Sequence, residues 1–293
     1  LNLSVDKNID LKKYNSWKVG GPAEYFCLPS SLEEMKEAVN YATSNKLSIT
    51  VLGSGSNVLI PDQGLQGLVI CTKKFRGIEA ETRNGRLHVT AMAGEPKFSL
   101  AKIFIKENLP PAIFLSGLPG DVGGGIVMNA GIAEKIEPRE FVGMTDWIEV
   151  LRDDKVIRFQ RDELQWSYRH CIGWEPGIIV RAGFSWSTQD RDESIKDKAA
   201  AFSKTRKDRQ PLEMPSCGST FVNPPGTSAG KLIEESGLKG FQIGDAQVSL
   251  KHANFLVNLG NAKASEFKSL IEHIQKTVSN KYGIELKTEV KFL

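Results

Sequence analysis

Two glycine-rich segments, one arginine among aromatic residues, a serine–cysteine–serine loop and a late glutamate are the parts of this chain that could carry chemistry. The first is "VLGSGSNVLI", residues 51–60. Gly53 and Gly55 open the pattern G-x-G-x-x-G, but Val58 stands where the third glycine belongs. Glycine lets backbone N–H groups come close to a ligand, and Ser54, Ser56 and Asn57 add hydroxyl and amide donors. Such a concave array is an anion nest; a plain turn after a strand is the alternative. The following "VLIPDQGLQG" is not a helix pattern, so no helix dipole aims at a phosphate and the Rossmann reading fails.

The second segment, "SGLPGDVGGGIVMNAG", holds glycines 117, 120, 123, 124, 125 and 131. Leu118, Val122, Ile126, Val127 and Met128 are more apolar than a solvated loop requires. Backbone packed against a flat bound ligand explains that mixture better. Arg169 in "SYRH" either pairs with a structural carboxylate or clamps a substrate carboxylate or phosphate through two parallel hydrogen bonds. His170 reads as a structural histidine. "PSCGSTFVNPPG" carries Ser216, Ser219, a reactive-looking Cys217 and Asn223 beside two prolines. G-x-S-x-G is absent, so a hydrolase elbow is unsupported. "GTSAGK" has three residues between its glycines where a P-loop needs four, and Leu232 follows the lysine, so it is rejected. Glu289 alone reads as a solvated strand residue.

The elements that must position these groups are partly legible. "AEYFCLP" reads as a strand. "PSSLEEMKEAVNYATSNK" reads as a helix with a Ser30/Glu33 capping box and Leu32, Met35, Val39 and Ala42 on one face. "LSITVLGSG" reads as a buried strand, so residues 23–53 form a β-α-β unit. The glycine loop lies at the carboxyl end of its second strand, where open α/β sheets often bind ligands. Residues 66–95 are β-rich, with a turn at Asn84-Gly85. "SLAKIFIKENLP" spans about three helical turns, and residues 145–187 return to short strands. "SAGKLIEESGLKG" is a helix stopped at Gly237, and "HANFLVNLG" is a strand. "ASEFKSLIEHIQKTVSNKYG" is an amphipathic helix with Phe267, Leu270, Ile271, Ile274 and Val278 on one stripe. "ELKTEVKFL" reads as a last strand, and a boundary falls near residues 188–200.

The chain has 293 residues, 40% hydrophobic and 25% charged, with a net charge of +3. That is ordinary for a globular protein, and too mildly basic for nucleic acid binding. The basic run "KTRKDRQ" reads as a solvated helix face. Cys27, Cys71, Cys171 and Cys217 form no C-x-x-C, which argues against zinc, a redox dithiol or a disulfide framework. No stretch approaches the roughly 20 apolar residues of a membrane span, and the first residues lack a signal-peptide pattern. A cytoplasmic location is expected.

Taken in order, the segments resemble the UDP-N-acetylenolpyruvoylglucosamine reductase (UDP-N-acetylmuramate dehydrogenase) family. They are "NSWKVGGPAEYF", "LGSGSNVLI", "SGLPGDVGGGIVMNAG", "YRHCI", "RQPLEMPSCGSTFVNPPG", "AGKLIEESGLKGFQIGDAQVSLKHANFLVN" and "GIELKTEVKFL". They cover nearly the whole chain, without room for the extra loop of the longer subtype. The resemblance implies an α+β fold: a two-lobed FAD-binding domain of the vanillyl-alcohol-oxidase/PCMH type (lobes 1–70 and 71–190) and a C-terminal α/β substrate domain, 191–293. It implies non-covalent FAD, NADPH as electron donor, a UDP-sugar substrate and a role in peptidoglycan synthesis; a monomer without a metal is expected. No histidine lies in residues 53–57 or 116–131, where covalent relatives attach FAD.

The resemblance further implies Arg169, Ser219 and Glu289 as the catalytic set. Around FAD it implies Val19, Gly20, Gly21, Gly53, Ser54, Gly55, Ser56, Asn57, Ser116, Gly117, Gly120, Gly123, Gly124, Asn129 and Gly131, with the pyrophosphate on the 53–57 loop. Tyr168, Gln210, Asn223, Lys251, His252 and Asn254 are the implied substrate contacts. Hydride addition to the enolpyruvyl group builds charge on its carboxylate. Arg169 would stabilise that charge, Ser219 would protonate the α-carbon, and Glu289 would be protonated beside the bound carboxylate. The chain departs from the family pattern at Asp121 (usually Thr or Ser), Gly125 (usually Ala) and Leu250 (usually Glu). Residues 132–145 match poorly and carry no assignment. Another FAD-dependent oxidoreductase of the same cofactor fold and a catalytically silent UDP-sugar-binding module are the alternatives.

Overall fold

The computed structural model describes residues 3–132 and 136–293; residues 133–135, inside the unassigned stretch 132–145, lie outside them. The chain folds into two compact units built from separated segments. Among the described residues, the first comprises residues up to Val5, Cys27–Ser54 and Val69–Arg206, the second Asp6–Phe26, Gly55–Leu68 and Lys207–Leu293.

The first unit is organised by a five-stranded antiparallel sheet in the order Ile78–Arg83, Arg86–Met92, Ile178–Ser187, Thr145–Arg152, Lys155–Gln160. Its first hairpin turns at Asn84-Gly85, both at positive φ (50° and 71°), the geometry that matches strand twist. The central strand Ile178–Ser187 is buried along most of its length, Phe184 included, and its neighbours Arg86–Met92 and Thr145–Arg152 bury Val89, Ala91, Ile148 and Val150. Helix α1 (Leu32–Ser44) buries Met35, Ala38 and Ala42. Its cap sits one residue later than expected: Ser31 accepts the Glu34 N–H at 3.1 Å, while the Glu34 carboxylate accepts from the Ser30 N–H and hydroxyl. The strand after it, Ile49–Leu52, is an edge strand in which only Leu52 is buried; Ile49 and Val51 are exposed. The fully buried strand expected there is therefore corrected. Strand Leu65–Cys71 is the buried one.

Helices α2 (Lys97–Lys106), α3 (Pro111–Ser116) and α4 (Val122–Val127) follow. α4 carries no helix pattern in its sequence. It forms despite three consecutive glycines because Asp121 caps it, accepting the Gly124 N–H at 2.8 Å, and because Val122 and Ile126 are fully buried. An Asp cap contributes about 1 kcal/mol. Helix α5 (Ile195–Arg209) buries only Ile195 and Ala199, so "KTRKDRQ" is a solvated helix face.

The second unit holds a four-stranded antiparallel sheet in the order Ser216–Ser219, Phe255–Asn258, Ala246–Val248, Gln242–Ile243. Helix α6 (Ala229–Glu235) is capped by Ser228 and followed by Gly237 at φ 74°. Helix α7 (Ala264–Tyr282) lays Phe267, Leu270, Ile271, Ile274 and Val278 into the core. Burying each such side chain is worth about 1.5–3 kcal/mol. Trp17 stacks on Phe267 with ring centroids 4.5 Å apart and donates its indole N–H to the Leu256 carbonyl at 2.7 Å. Only Lys291–Phe292 of the expected last strand is regular, pairing in parallel with Val58–Leu59; Thr288 bridges Phe221 on its own. Among the described residues, no helix is long and apolar enough to cross a membrane.

Candidate functional site

In the first unit the loop Gly53–Ser54 meets the start of α4. The Asp121 carboxylate takes three hydrogen bonds: from the Ser54 N–H (2.6 Å), the Ser54 hydroxyl (3.0 Å) and the Gly124 N–H. Two donors of the expected anion nest are therefore engaged by the protein's own carboxylate, which is only 3% exposed. A Cβ on Gly53 would fall on that carboxylate, and one on Gly125 would stand 2.5 Å from Phe141 and 2.8 Å from Lys97. Gly20, Gly21, Gly55, Gly117 and Gly131 likewise pack against the chain itself. So most of these glycines are explained by close packing of protein on protein, not by a ligand.

Gly124 is the exception. It is exposed, and a Cβ there would meet only Asp121 Oδ1, at 3.1 Å. Bare backbone facing outward beside the half-buried Gly123 and Ser54 fits a large flat ligand such as FAD lying against this surface. Ser116 donates its hydroxyl to the Ala112 carbonyl.

Arg169 lies among the short strands expected over residues 145–187 but not within one. It occupies a two-residue turn between Gln165–Ser167 and His170–Ile172, at φ 57°. A non-glycine residue there is held against its preference, at about 1–3 kcal/mol. The surroundings hold it. Asn129, nearly fully buried, donates to the Ser167 carbonyl (3.0 Å) and to Glu140 (3.1 Å) and accepts the Val142 N–H (3.1 Å). Arg169 itself donates to the Gly131 carbonyl at 2.9 Å, lies 3.8 Å from Glu140, and stacks on the exposed Tyr168 ring at 4.5 Å. Asn129 and Gly131 thus brace the turn that presents Arg169.

In the second unit, Val19, Gly20 and Gly21 are fixed against the loop before Leu65: the Gly21 N–H donates to the Pro61 carbonyl. Asn57 donates to the Glu289 carbonyl at 3.1 Å, and the Lys291 N–H donates to the Asn57 carbonyl. The Glu289 N–H donates to the Thr220 carbonyl at 2.8 Å, so the Glu289 backbone is tied to the residue that follows Ser219. Asn254, expected at the substrate, is buried. Its Oδ1 accepts the Phe221 N–H (2.9 Å) and its Nδ2 donates to the Phe221 carbonyl (2.8 Å). Removing it strands two buried backbone groups. Asn254→Ala is expected to cost about 2–4 kcal/mol, read as a lowered urea midpoint.

Asn223 is exposed and accepts the Ala229 N–H at the start of α6. Lys251 donates to the Lys207 carbonyl and pairs with Glu213 at 3.5 Å. Burial pushes the His252 imidazolium below its usual range, so the ring is neutral at pH 7, and its Nδ1 accepts the Asn254 N–H. Gln210 is half-buried.

Cys217 is corrected as a reactive group. It is 3% exposed, its thiol points at the Val58 and Gly55 carbonyls, and burial pushes its pKa up to about 12. Reactive cysteines are exposed and thiolate-prone. All four cysteines are free and buried, so a colorimetric thiol reagent is expected to label none in the native protein and four after unfolding. Three groups escaped the sequence reading: Lys97, Glu140 and the hydrogen-bonding role of Asp121. Lys97 and Glu140 lie outside every motif, Asp121 stood out in its glycine segment only as a departure from the family pattern, and a lysine at a helix start is ordinarily solvated.

Comparisons with known proteins decide the family. Residues 23–157 match the model of the FAD binding domain, and residues 210–293 that of the UDP-N-acetylenolpyruvoylglucosamine reductase C-terminal domain. A UDP-N-acetylenolpyruvoylglucosamine reductase from Clostridium novyi is 40% identical over 99% of this chain and 92% of its own length. The chain belongs to the UDP-N-acetylenolpyruvoylglucosamine reductase family. The Listeria innocua reductase is 39% identical over 100% of the chain and 96% of its own length. The crystal structure of the Thermus caldophilus reductase superposes with a TM-score of 0.80 at 32% identity, covering 99% of both chains. The α+β fold, an FAD-binding domain followed by the C-terminal domain of this reductase family, is as the resemblance implied. The protein is an FAD-dependent oxidoreductase of that family.

Proposed function

We propose that the protein reduces the enolpyruvyl ether of UDP-N-acetylglucosamine-enolpyruvate to UDP-N-acetylmuramate with NADPH, as a step of peptidoglycan synthesis. We assign FAD to the 1–70 and 71–190 lobes and the UDP-sugar to residues 191–293. FAD, when bound, supplies the hydride. The chain's own residues supply the rest. Ser219 delivers a proton to the α-carbon, a transfer worth about 10²–10⁴-fold when positioned. Arg169 offers a planar fork of N–H donors to the carboxylate on which charge develops. Glu289 acts as a hydrogen-bonding acid toward the same carboxylate.

The observation that carries this reading is the Glu289 N–H to Thr220 carbonyl bond at 2.8 Å, which ties the Glu289 backbone to the residue that follows Ser219. The family membership of the whole chain supports it. Gly124, Gly123 and Ser54 are the residues we assign to the flavin's surroundings in the first unit, and Ser56 and Asn57 to its phosphates. Tyr168, Gln210, Asn223, Lys251 and His252 are proposed substrate contacts, while Asn254 acts by holding Phe221.

The test is anaerobic and visible. The purified protein should be yellow, bleach with NADPH and regain its colour on adding the enolpyruvyl UDP-sugar. A protein that stays colourless after incubation with FAD, or whose reduced flavin ignores the UDP-sugar, would overturn the reading.

A further inference from the structure

Among the described residues, Asp121 and Lys97 are the most deeply buried charged side chains, at 3% and 5% exposure. Lys97 is the first residue of α2, and its ammonium donates to the Pro119 carbonyl at 2.8 Å. It runs past Gly125, where any Cβ would stand 2.8 Å from its Cε, and over the Phe141 ring at 5.6 Å. Asp121 ties Ser54 to Gly124, and the missing Cβ of Gly53 leaves room for its carboxylate. Both charges therefore sit in spaces that two glycines keep open. Lys97 is tied to the two residues that lead into Asp121, its ammonium to the Pro119 carbonyl at 2.8 Å and its N–H to the Gly120 carbonyl at 3.0 Å. Burial pushes Lys97 down to about 8, and the Asp121 charge opposes that shift while Arg169 adds to it.

A buried carboxylate without a compensating cation is costly. It would also repel the phosphates of a cofactor lying against Ser54 and Gly124. We propose that Asp121 and Lys97 act as one positioning pair for the FAD loop. The carboxylate fastens Gly53–Ser54 to the start of α4, and the ammonium cancels its charge so that an anionic cofactor is tolerated there. This rests on the FAD reading above. It makes both residues positioning residues, and it differs from a simple helix cap in requiring the two to be coupled. Breaking a buried pair by removing one partner is far worse than replacing both, and only a double-mutant cycle isolates that coupling.

The experiment measures flavin release from the full-length, flavin-loaded protein on dilution, followed by the gain of flavin fluorescence. Lys97→Met and Asp121→Thr are each expected to weaken FAD retention by at least about 10-fold, and the double variant to return within about 3-fold of wild type. Losses that multiply in the double variant, or single variants that retain FAD like wild type, overturn the pairing.

The wild-type protein gives a second readout should Lys97→Met fail to fold. The charged groups facing Lys97 are Asp121 and Arg169. Raising the pH from 7 to 9 removes the Lys97 proton and is expected to weaken FAD about 5–10-fold. The same series in Asp121→Thr should show a weaker loss over pH 7–9, because removing the carboxylate lowers Lys97 further and leaves less of it to deprotonate. A flat wild-type series overturns the proposal. A wild-type protein that takes up no FAD at any pH overturns the flavoprotein reading together with it.

Discussion

In rapid-mixing kinetics, Ser219→Ala leaves flavin reduction by NADPH at the wild-type rate and slows reoxidation by the enolpyruvyl UDP-sugar by about 10²–10⁴-fold. The split follows from where the proton is needed. NADPH-driven reduction asks nothing of Ser219, whereas product formation requires a proton at the α-carbon. A serine hydroxyl is a weak acid, but the charged species formed on the substrate is a strong base, so the transfer is downhill. The position suits the task. Ser219 ends a short strand, after Gly218 at φ 74°, and the next peptide is pinned by the Asn254 clamp on Phe221 and by the Glu289 N–H. Cys217, two residues earlier, is the local competitor, and its buried thiol at about 12 disqualifies it. Cys217→Ala is accordingly expected to change reoxidation by less than about 3-fold while lowering stability through lost packing. An unchanged second half-reaction in Ser219→Ala would remove the serine from the mechanism.

What the sequence disclosed depended on the kind of signal. Helix α7 was legible because five apolar residues repeat at helical spacing, and all five are buried. The Asn84-Gly85 hairpin was legible because that dipeptide suits two residues at positive φ. Helix α4 was not legible. Three glycines lower helix propensity by about 1 kcal/mol each relative to alanine, and only the three-dimensional cap by Asp121 with the burial of Val122 and Ile126 offsets that. The glycines of residues 116–131 suggested a ligand, and Gly117, Gly125 and Gly131 instead mark close packing, while Gly124 is exposed.

The two departures from the family pattern in that segment were visible as letters but had no meaning alone. Asp121 and Gly125 become intelligible once Lys97, 24 residues or more away in sequence, is seen to occupy the space beside Gly125. Leu250 is 70% exposed, and nothing in the structure explains its presence. Local pattern carries periodicity and turns; it carries no record of which distant side chain fills a missing Cβ.

Arg169→Gly separates catalysis from folding at the second position of largest expected effect. The residue sits at φ 57°, where a side chain is strained and glycine is at ease. Relief of about 1 kcal/mol offsets the lost bond to the Gly131 carbonyl and the added freedom of the unfolded chain. The unfolding free energy is therefore expected to change by less than about 1 kcal/mol in urea titration. The catalytic cost is of another order. Removing a donor aimed at developing negative charge costs about 2.7–4 kcal/mol, or 10²–10³ in rate, and Arg169 would offer two such donors. kcat/KM for the enolpyruvyl UDP-sugar should thus fall at least 10³-fold with flavin reduction by NADPH intact. Arg169→Lys should recover little, because an ammonium lacks the planar fork. The opposite pattern, a protein that unfolds more easily yet still turns over, would mean that Arg169 serves only to close the turn between Gln165–Ser167 and His170–Ile172 through Gly131 and Glu140.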